Sequence, residues 1–112
     1  MHVGALMPFT PPPGATPDFL RDVLHELRDS PPVGPPWSLK LKNPDFLGSP
    51  RQRWIDDEEF DLDYHVRRSG LPTPGGEREL GILVSRMHSV QMDFHRPLWE
   101  VNFIEGLNDG RF

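Results

Sequence analysis

Cysteine is absent from this chain of 112 residues. That excludes disulfides, thiolate nucleophiles and cysteine-based zinc centres. A basic excess is absent too. Twelve Lys and Arg stand against seventeen Asp and Glu, a formal charge of -5, which is the wrong sign for a nucleic-acid surface. No apolar run approaches the roughly 20 residues needed to span a bilayer. The opening stretch Met1 to Phe9 has neither the basic start nor the long apolar core of a secretory signal. A cytoplasmic protein is the expectation. The length suits one small domain, residues 1–112, and is too short for two.

Familiar catalytic and binding patterns are also missing. Five histidines (His2, His25, His65, His88 and His95) occur, but no pair has the HExxH spacing that places two ligands on one helix face. No serine sits in a G-x-S-x-G elbow. Gly75-Gly76 and the pair Gly106 and Gly110 do not form a phosphate-binding loop with its GK[ST] ending. The acidic run Asp56 to Glu59 lacks the alternating oxygen ligands and central glycine of a calcium loop, and reads as solvated. Neither a metal site nor a catalytic constellation is expected, and no cofactor.

Proline, by contrast, is abundant: 14 residues, well over twice the usual ~5%. The prolines cluster between candidate elements and so punctuate them. His2 to Phe9 reads as a short buried strand. Thr16-Pro17-Asp18 then opens a helix, with Thr as cap and Pro at its first position. The stripe is Phe19, Leu20, Val23, Leu24 and Leu27, and Ser30-Pro31-Pro32 ends it. Val33 to Ser49 is a loop region with one short strand at Trp37 to Leu41, and Arg53 to Ile55 is a second candidate. Phe60 to Arg67 alternates cleanly, with Phe60, Leu62, Tyr64 and Val66 on one face, the strongest period-two signal in the chain. Glu77 to Ser89 is a helix with Leu80, Leu83, Val84 and Met87 inward.

Pro97 leads into a last strand in which Trp99, Val101 and Phe103 share a face. The turn residues Asn108-Asp109-Gly110 follow, and then only Arg111 and Phe112. Such a turn asks for a return strand, so the chain reads as ending inside a hairpin. The expected order is β-α-(β)-β-α-β, an α/β (α+β) fold. Pro97-Leu98-Trp99 has two readings: an aromatic anchor at the edge of the core, or the wall of an apolar channel beside a site.

Several segments together carry a resemblance. They are Met1-His2-Val3-Gly4, Phe60 to Arg68, Pro72 to Leu80, Val84-Ser85-Arg86-Met87-His88-Ser89, Arg96-Pro97-Leu98-Trp99-Glu100 and Ile104 to Phe112. In this order and spacing the chain resembles the N-terminal part of the bacterial wax ester synthase/diacylglycerol acyltransferase family. The resemblance implies part of a chloramphenicol-acetyltransferase-like lobe, related to peptide-synthetase condensation domains. It implies transfer of a fatty acyl group from acyl-coenzyme A to a diacylglycerol or a long-chain alcohol. Its general base would be a histidine of an HHxxxDG motif.

That motif does not occur in these residues, so none of the five histidines inherits the role. By resemblance the chain is a fragment, lacking a short upstream lead-in, the catalytic motif and the second lobe, and inactive alone. Pro97, Leu98 and Trp99 match a family motif near the substrate channel, flanked by Arg96 and Glu100. Implied partners are acyl-coenzyme A, the acyl acceptor, the missing C-terminal half, and a peripheral membrane or lipid-inclusion surface. The competing reading is a non-catalytic module that binds lipid or pairs with a partner chain.

Overall fold

The structure, a computed structural model, describes residues 2–30 and 34–112. Pro31, Pro32 and Val33, where the first helix was expected to give way to a loop, lie outside the described residues. The first helix, α1, spans Phe19–Asp29. It starts later than its proline suggested. The Phe19 amide bonds the Thr16 carbonyl at 3.0 Å, closing a turn before the helix, and Asp22 bonds Asp18 at 3.0 Å. Asp18, not Thr16, is the flanking residue, and it makes no side-chain cap bond. Leu20 and Leu24, four apart, are the buried part of the expected stripe. His25 lies on the exposed side.

Both short strand candidates form, and they pair. Strands β1 (Leu39–Leu41) and β2 (Trp54–Asp56) run antiparallel, with Lys40 opposite Ile55. The loop between them is closed by side chains. The Gln52 carboxamide accepts from the Asn43 amide and donates to the Asn43 carbonyl, both at 2.9 Å. The acidic run after β2 is not wholly solvated as expected. The Asp57 carboxylate is nearly buried and pairs with Lys40 Nζ at 3.0 Å.

The strongest alternating segment is not a strand along most of its length. Leu62–His65 forms a short helical turn, α2, and strand β3 begins only at Val66, running to Gly70. The physical reason is local. The Asp61 carboxylate accepts from the Asp63 amide at 3.1 Å, a side-chain cap that competes with extended backbone. The turn brings His65 and Val66, neighbours in sequence, both into the interior, which a strand's alternation forbids.

Helix α3 spans Glu77–Ser89, as the sequence indicated. The Glu79 carboxylate accepts from the Gly76 amide at 2.9 Å, satisfying a backbone donor at the helix start. Strand β4 covers Val101–Glu105 and pairs parallel to β3, with Val66 opposite Val101 and Gly70 opposite Glu105. A parallel pair needs a long crossover, and α3 supplies it. Two glycines join the start of this crossover to the end of β4. Gly75 adopts φ +70° and Gly106 φ +88°, and the Asn108 amide bonds the Gly75 carbonyl at 2.9 Å.

Two expectations at the ends of the chain are corrected. Residues 2–9 form no regular strand, and Val3, Leu6, Met7 and Phe9 are exposed. Outside Phe9, the segment has no backbone hydrogen-bond partner among the described residues, and a strand without a ladder is not stable. The turn after β4 does form, with the Gly110 amide on the Leu107 carbonyl at 3.2 Å, but Phe112 pairs with Phe9 instead of β4. The two exchange both backbone bonds, at 2.7 and 3.0 Å. The observed order is therefore α-β-β-α-β-α-β, still an α/β fold.

The core is small. Leu20, Leu24 and Val66 form its centre, with Leu27, Leu62, Trp99, Phe103 and Phe112 packed around it. The molecule is a slab of 51 × 31 × 16 Å with a radius of gyration of 16.6 Å. A compact domain of this length would have roughly 13 Å.

Candidate functional site

Pro97, Leu98 and Trp99 lie just before β4. Pro97 is buried, while Leu98 and Trp99 are partly so. The indole of Trp99 lies at the centre of an aromatic assembly. His65 stacks on it at 4.6 Å between ring centroids, Phe60 stacks at 6.1 Å, and Trp37 meets it edge-on at 5.7 Å. The Trp99 Nε1–H donates to the Trp37 carbonyl at 2.8 Å. That bond ties the β1–β2 hairpin region to the start of β4 and satisfies the one polar atom of the ring.

His65 is fully buried. Its Nδ1 lies 2.7 Å from the Trp99 carbonyl. A carbonyl only accepts, so Nδ1 carries a proton. Nε2 has no partner among the described residues. The ring is therefore a clamp on the Pro97 to Trp99 backbone. Sequence reading placed His65 on the polar side of a strand and missed this. The signal was present in Asp61-x-Asp63, a capping pattern that breaks the alternation just ahead of it.

Around this centre the flanking charges are arranged on Tyr64. The Arg96 guanidinium sits over its ring at 4.0 Å and that of Arg67 at 4.8 Å. Arg67 also reaches Glu100 at 3.6 Å. Arg96 and Glu100 thus brace the motif from both sides through one cation–π and ion-pair group.

Beyond Trp99 opens a groove of about 640 Å³ between residues 2–9, α3 and β4. Its lining begins at Glu100 and includes Met7, Val84, Met87, Ile104 and Phe112. Pro97, Leu98 and Trp99 are not among its lining residues; they brace the strand that floors it. Ile104 is buried, one residue after the core-facing Phe103. The pleat turns it toward the opposite face, a second buried position that the sequence reading did not name.

The remaining histidines are scattered. His2 and His88 meet edge-to-face at 4.5 Å on the groove. His95 pairs with Asp45 at 3.0 Å, with both side chains exposed. Among the described residues no three His, Asp or Glu side chains converge in a way that would hold a metal ion. No described helix is long and apolar enough to cross a membrane.

Comparison with known proteins gives this arrangement a family. The model of the wax ester synthase/diacylglycerol acyltransferase catalytic domain matches residues 1–112. A putative diacylglycerol O-acyltransferase of Mycobacterium tuberculosis is 62% identical over 112 residues, all of this chain and 22% of that protein. The O-acyltransferase WSD of Acinetobacter baylyi is 43% identical over 113 residues, all of this chain and 23% of its own length. The solved wax ester synthase/diacylglycerol acyltransferase from Marinobacter aquaeolei VT8 superposes with a TM-score of 0.80 at 41% identity, covering 94% of this chain and 25% of that one. The chain thus spans about a quarter of the length of the relatives it matches. With the sequence matching over its whole length and the fold over 94% of it, the chain belongs to the wax ester synthase/diacylglycerol acyltransferase catalytic-domain family.

Proposed function

We propose that these residues are scaffold for an O-acyltransferase that moves a fatty acyl group from acyl-coenzyme A to a diacylglycerol or a long-chain alcohol. The observation that carries this reading is the match of the catalytic-domain family to all of residues 1–112. In this reading the acceptor hydroxyl loses its proton to a histidine outside the 112 residues, and its oxygen attacks the thioester carbonyl, expelling coenzyme A as thiol. None of the five histidines here suits that task. His65 is sealed from solvent, and its Nδ1–H is committed to a carbonyl. His25 is exposed on α1. His2, His88 and His95 pair with each other or with an exposed carboxylate.

Pro97, Leu98 and Trp99 act here by position. They fix the start of β4 and so shape one side of the substrate channel, with Trp99 as the rigid element. In this reading acyl-coenzyme A is a co-substrate and the reaction calls for no cofactor.

The test is a transplant. Purified alone, the chain should show no transfer from palmitoyl-coenzyme A to hexadecanol or diolein above a protein-free blank. Substituted for the matching quarter of the Acinetobacter enzyme, it should support ester formation. In that chimera Trp99→Ala should lower kcat/KM by about tenfold or more, and Trp99→Phe by less. Turnover by the isolated chain, or a folded chimera with no activity, would sink the reading.

A further inference from the structure

Every hydrogen-bonding group of Trp99 is committed. Its amide donates to the Pro97 carbonyl at 3.0 Å, closing a tight turn just ahead of β4. Its indole Nε1–H donates to the Trp37 carbonyl at 2.8 Å. Its own carbonyl accepts from His65 Nδ1 at 2.7 Å. His65 also lies nearly flat on the indole, with 4.6 Å between ring centroids and 23° between ring planes. Among the described residues, His65 is thus the side chain that grips both the ring and the backbone of Trp99. It arrives from α2, thirty-four residues earlier in the chain, so the grip is a product of the tertiary fold.

For burial alone, an apolar ring would serve better here. His65 is the one buried polar side chain among the described residues. Its Nε2 has no partner there, and a buried polar atom left unpaired is destabilising. Phenylalanine would keep the stack on Phe60, at 5.0 Å, and on Trp99, and would bring no such atom. What an apolar ring cannot supply is the donor to the Trp99 carbonyl. The two contacts therefore divide by task. The stack fills the core, and the bond fixes how the peptide after Trp99 is oriented as it enters β4. A stability rule broken at one buried position is the pattern expected where a residue is kept for function.

We propose that His65 is a positioning residue for acyl transfer: through its bond to the Trp99 carbonyl it holds the indole as a fixed wall of the substrate channel, and so sets how acceptor alcohols of different length are told apart. This role rests on the acyl-transfer function proposed above for the family domain. His65 acts through Trp99 and not on the substrate, because its own ring is sealed. A flat, rigid ring limits an apolar channel sterically; the same ring set loose yields to its contents. Small displacements of such a group are enough to change rates, and discrimination is read as the ratio of kcat/KM for two substrates.

The test uses the chimera with the Acinetobacter enzyme, palmitoyl-coenzyme A, and either decanol or hexadecanol. The ratio of the two kcat/KM values does not depend on how much enzyme is folded, so lost stability alone cannot move it. His65→Phe should change that ratio by about threefold or more, in the direction taken by Trp99→Ala, and the double variant should go no further than Trp99→Ala alone. His65→Asn, whose side-chain amide nitrogen lies as many bonds from Cα as Nδ1 does, should keep the parent ratio although it loses the stack. A parent ratio in His65→Phe, or a change in His65→Asn equal to that in His65→Phe, would overturn the proposal. An inactive parent chimera would instead sink the acyl-transfer reading, and a readout without turnover then decides on His65. In the 112-residue chain, solvent exchange of the Trp99 indole Nε1–H should quicken by about tenfold in His65→Phe and stay near the parent rate in His65→Asn. Unchanged exchange in His65→Phe would overturn the proposal.

Discussion

The two sides of the β3–β4 pair are built to different standards. On the α1 side, Leu20, Leu24 and Val66 are nearly sealed, and the aromatic stack of Phe60, His65 and Trp99 closes the layer. On the α3 side the helix presents Val84 and Met87 to a groove, and no residue of α3 is fully buried. Yet both helices have an acidic first turn and a basic last turn, and α3 adds a backbone-capping Glu79. Local sequence rules thus make a helix on either side. What separates the two is whether a second apolar surface meets it, and on the α3 side only part of one does. Helical stability in proteins comes mostly from such packing.

The largest effect should come from the joint between the entry to α3 and the end of β4. Gly75 sits at φ +70°, and a Cβ there would overlap the Gly106 carbonyl oxygen. Gly75→Ala combines left-handed strain with a backbone clash that no rotamer relieves, and should cost about 3 kcal/mol or more in denaturant unfolding. A loss below about 1 kcal/mol would show that the loops around Gly75 and Gly106 separate freely. The next test contrasts the sides directly. Leu24→Ala removes a side chain from the sealed cluster and should cost about 2–4 kcal/mol. Val84→Ala, on the groove wall, should cost under about 1 kcal/mol. Equal losses would erase the contrast.

His65 probes how the sealed side is held. His65→Ala empties a fully buried aromatic site and should destabilise by about 3 kcal/mol. His65→Phe keeps the stacking on Phe60 and Trp99, removes the unpartnered Nε2, and leaves the Trp99 carbonyl without its donor. Its cost should be about 1–2 kcal/mol. If Phe is as harmful as Ala, the bond to Trp99 outweighs the stack.

These residues also show what the sequence could reveal. Helix α3 was readable to the residue because stripe, charge bias and flanking glycines agree there. The β1–β2 pair was readable as two strands but not as partners, since register depends on the Asn43 and Gln52 side chains across the loop. Phe60 to Arg67 misled because a period-two pattern in side chains says nothing of a capping carboxylate that turns the backbone. His2 to Phe9 misled differently. Its apolar content is right for a strand, but a strand is defined by neighbours, and among the described residues only Phe112 bonds its backbone. At the candidate site, Trp99 was singled out by the sequence. His65 was not, because its role lies in a contact thirty-four residues away.

The smallest predicted effect concerns the turn that delivers Phe112 to both sides. Phe112 packs against the α1 cluster, stacks on Phe9 at 5.7 Å and also lines the groove. Its approach is set by Asp109, whose carboxylate accepts from the Arg111 amide at 3.1 Å and from Arg111 Nε at 2.6 Å. The Arg111 backbone bond, helped by its guanidinium, holds the Asp109 carboxyl below its ordinary value of 3.8. A carboxyl depressed in the folded state stabilises the fold above its unfolded value, and that contribution is lost as pH falls through the folded one. Asp109→Asn keeps an oxygen acceptor but removes the charge. Its melting temperature should therefore lie slightly below that of the parent at pH 7, and the gap should close as pH drops below about 4. The pair is solvent-exposed, so added salt should narrow the gap as well. A gap that persists at low pH would mean that Asp109 holds the turn by shape alone. Phe112 would then be placed between the two sides without help from charge.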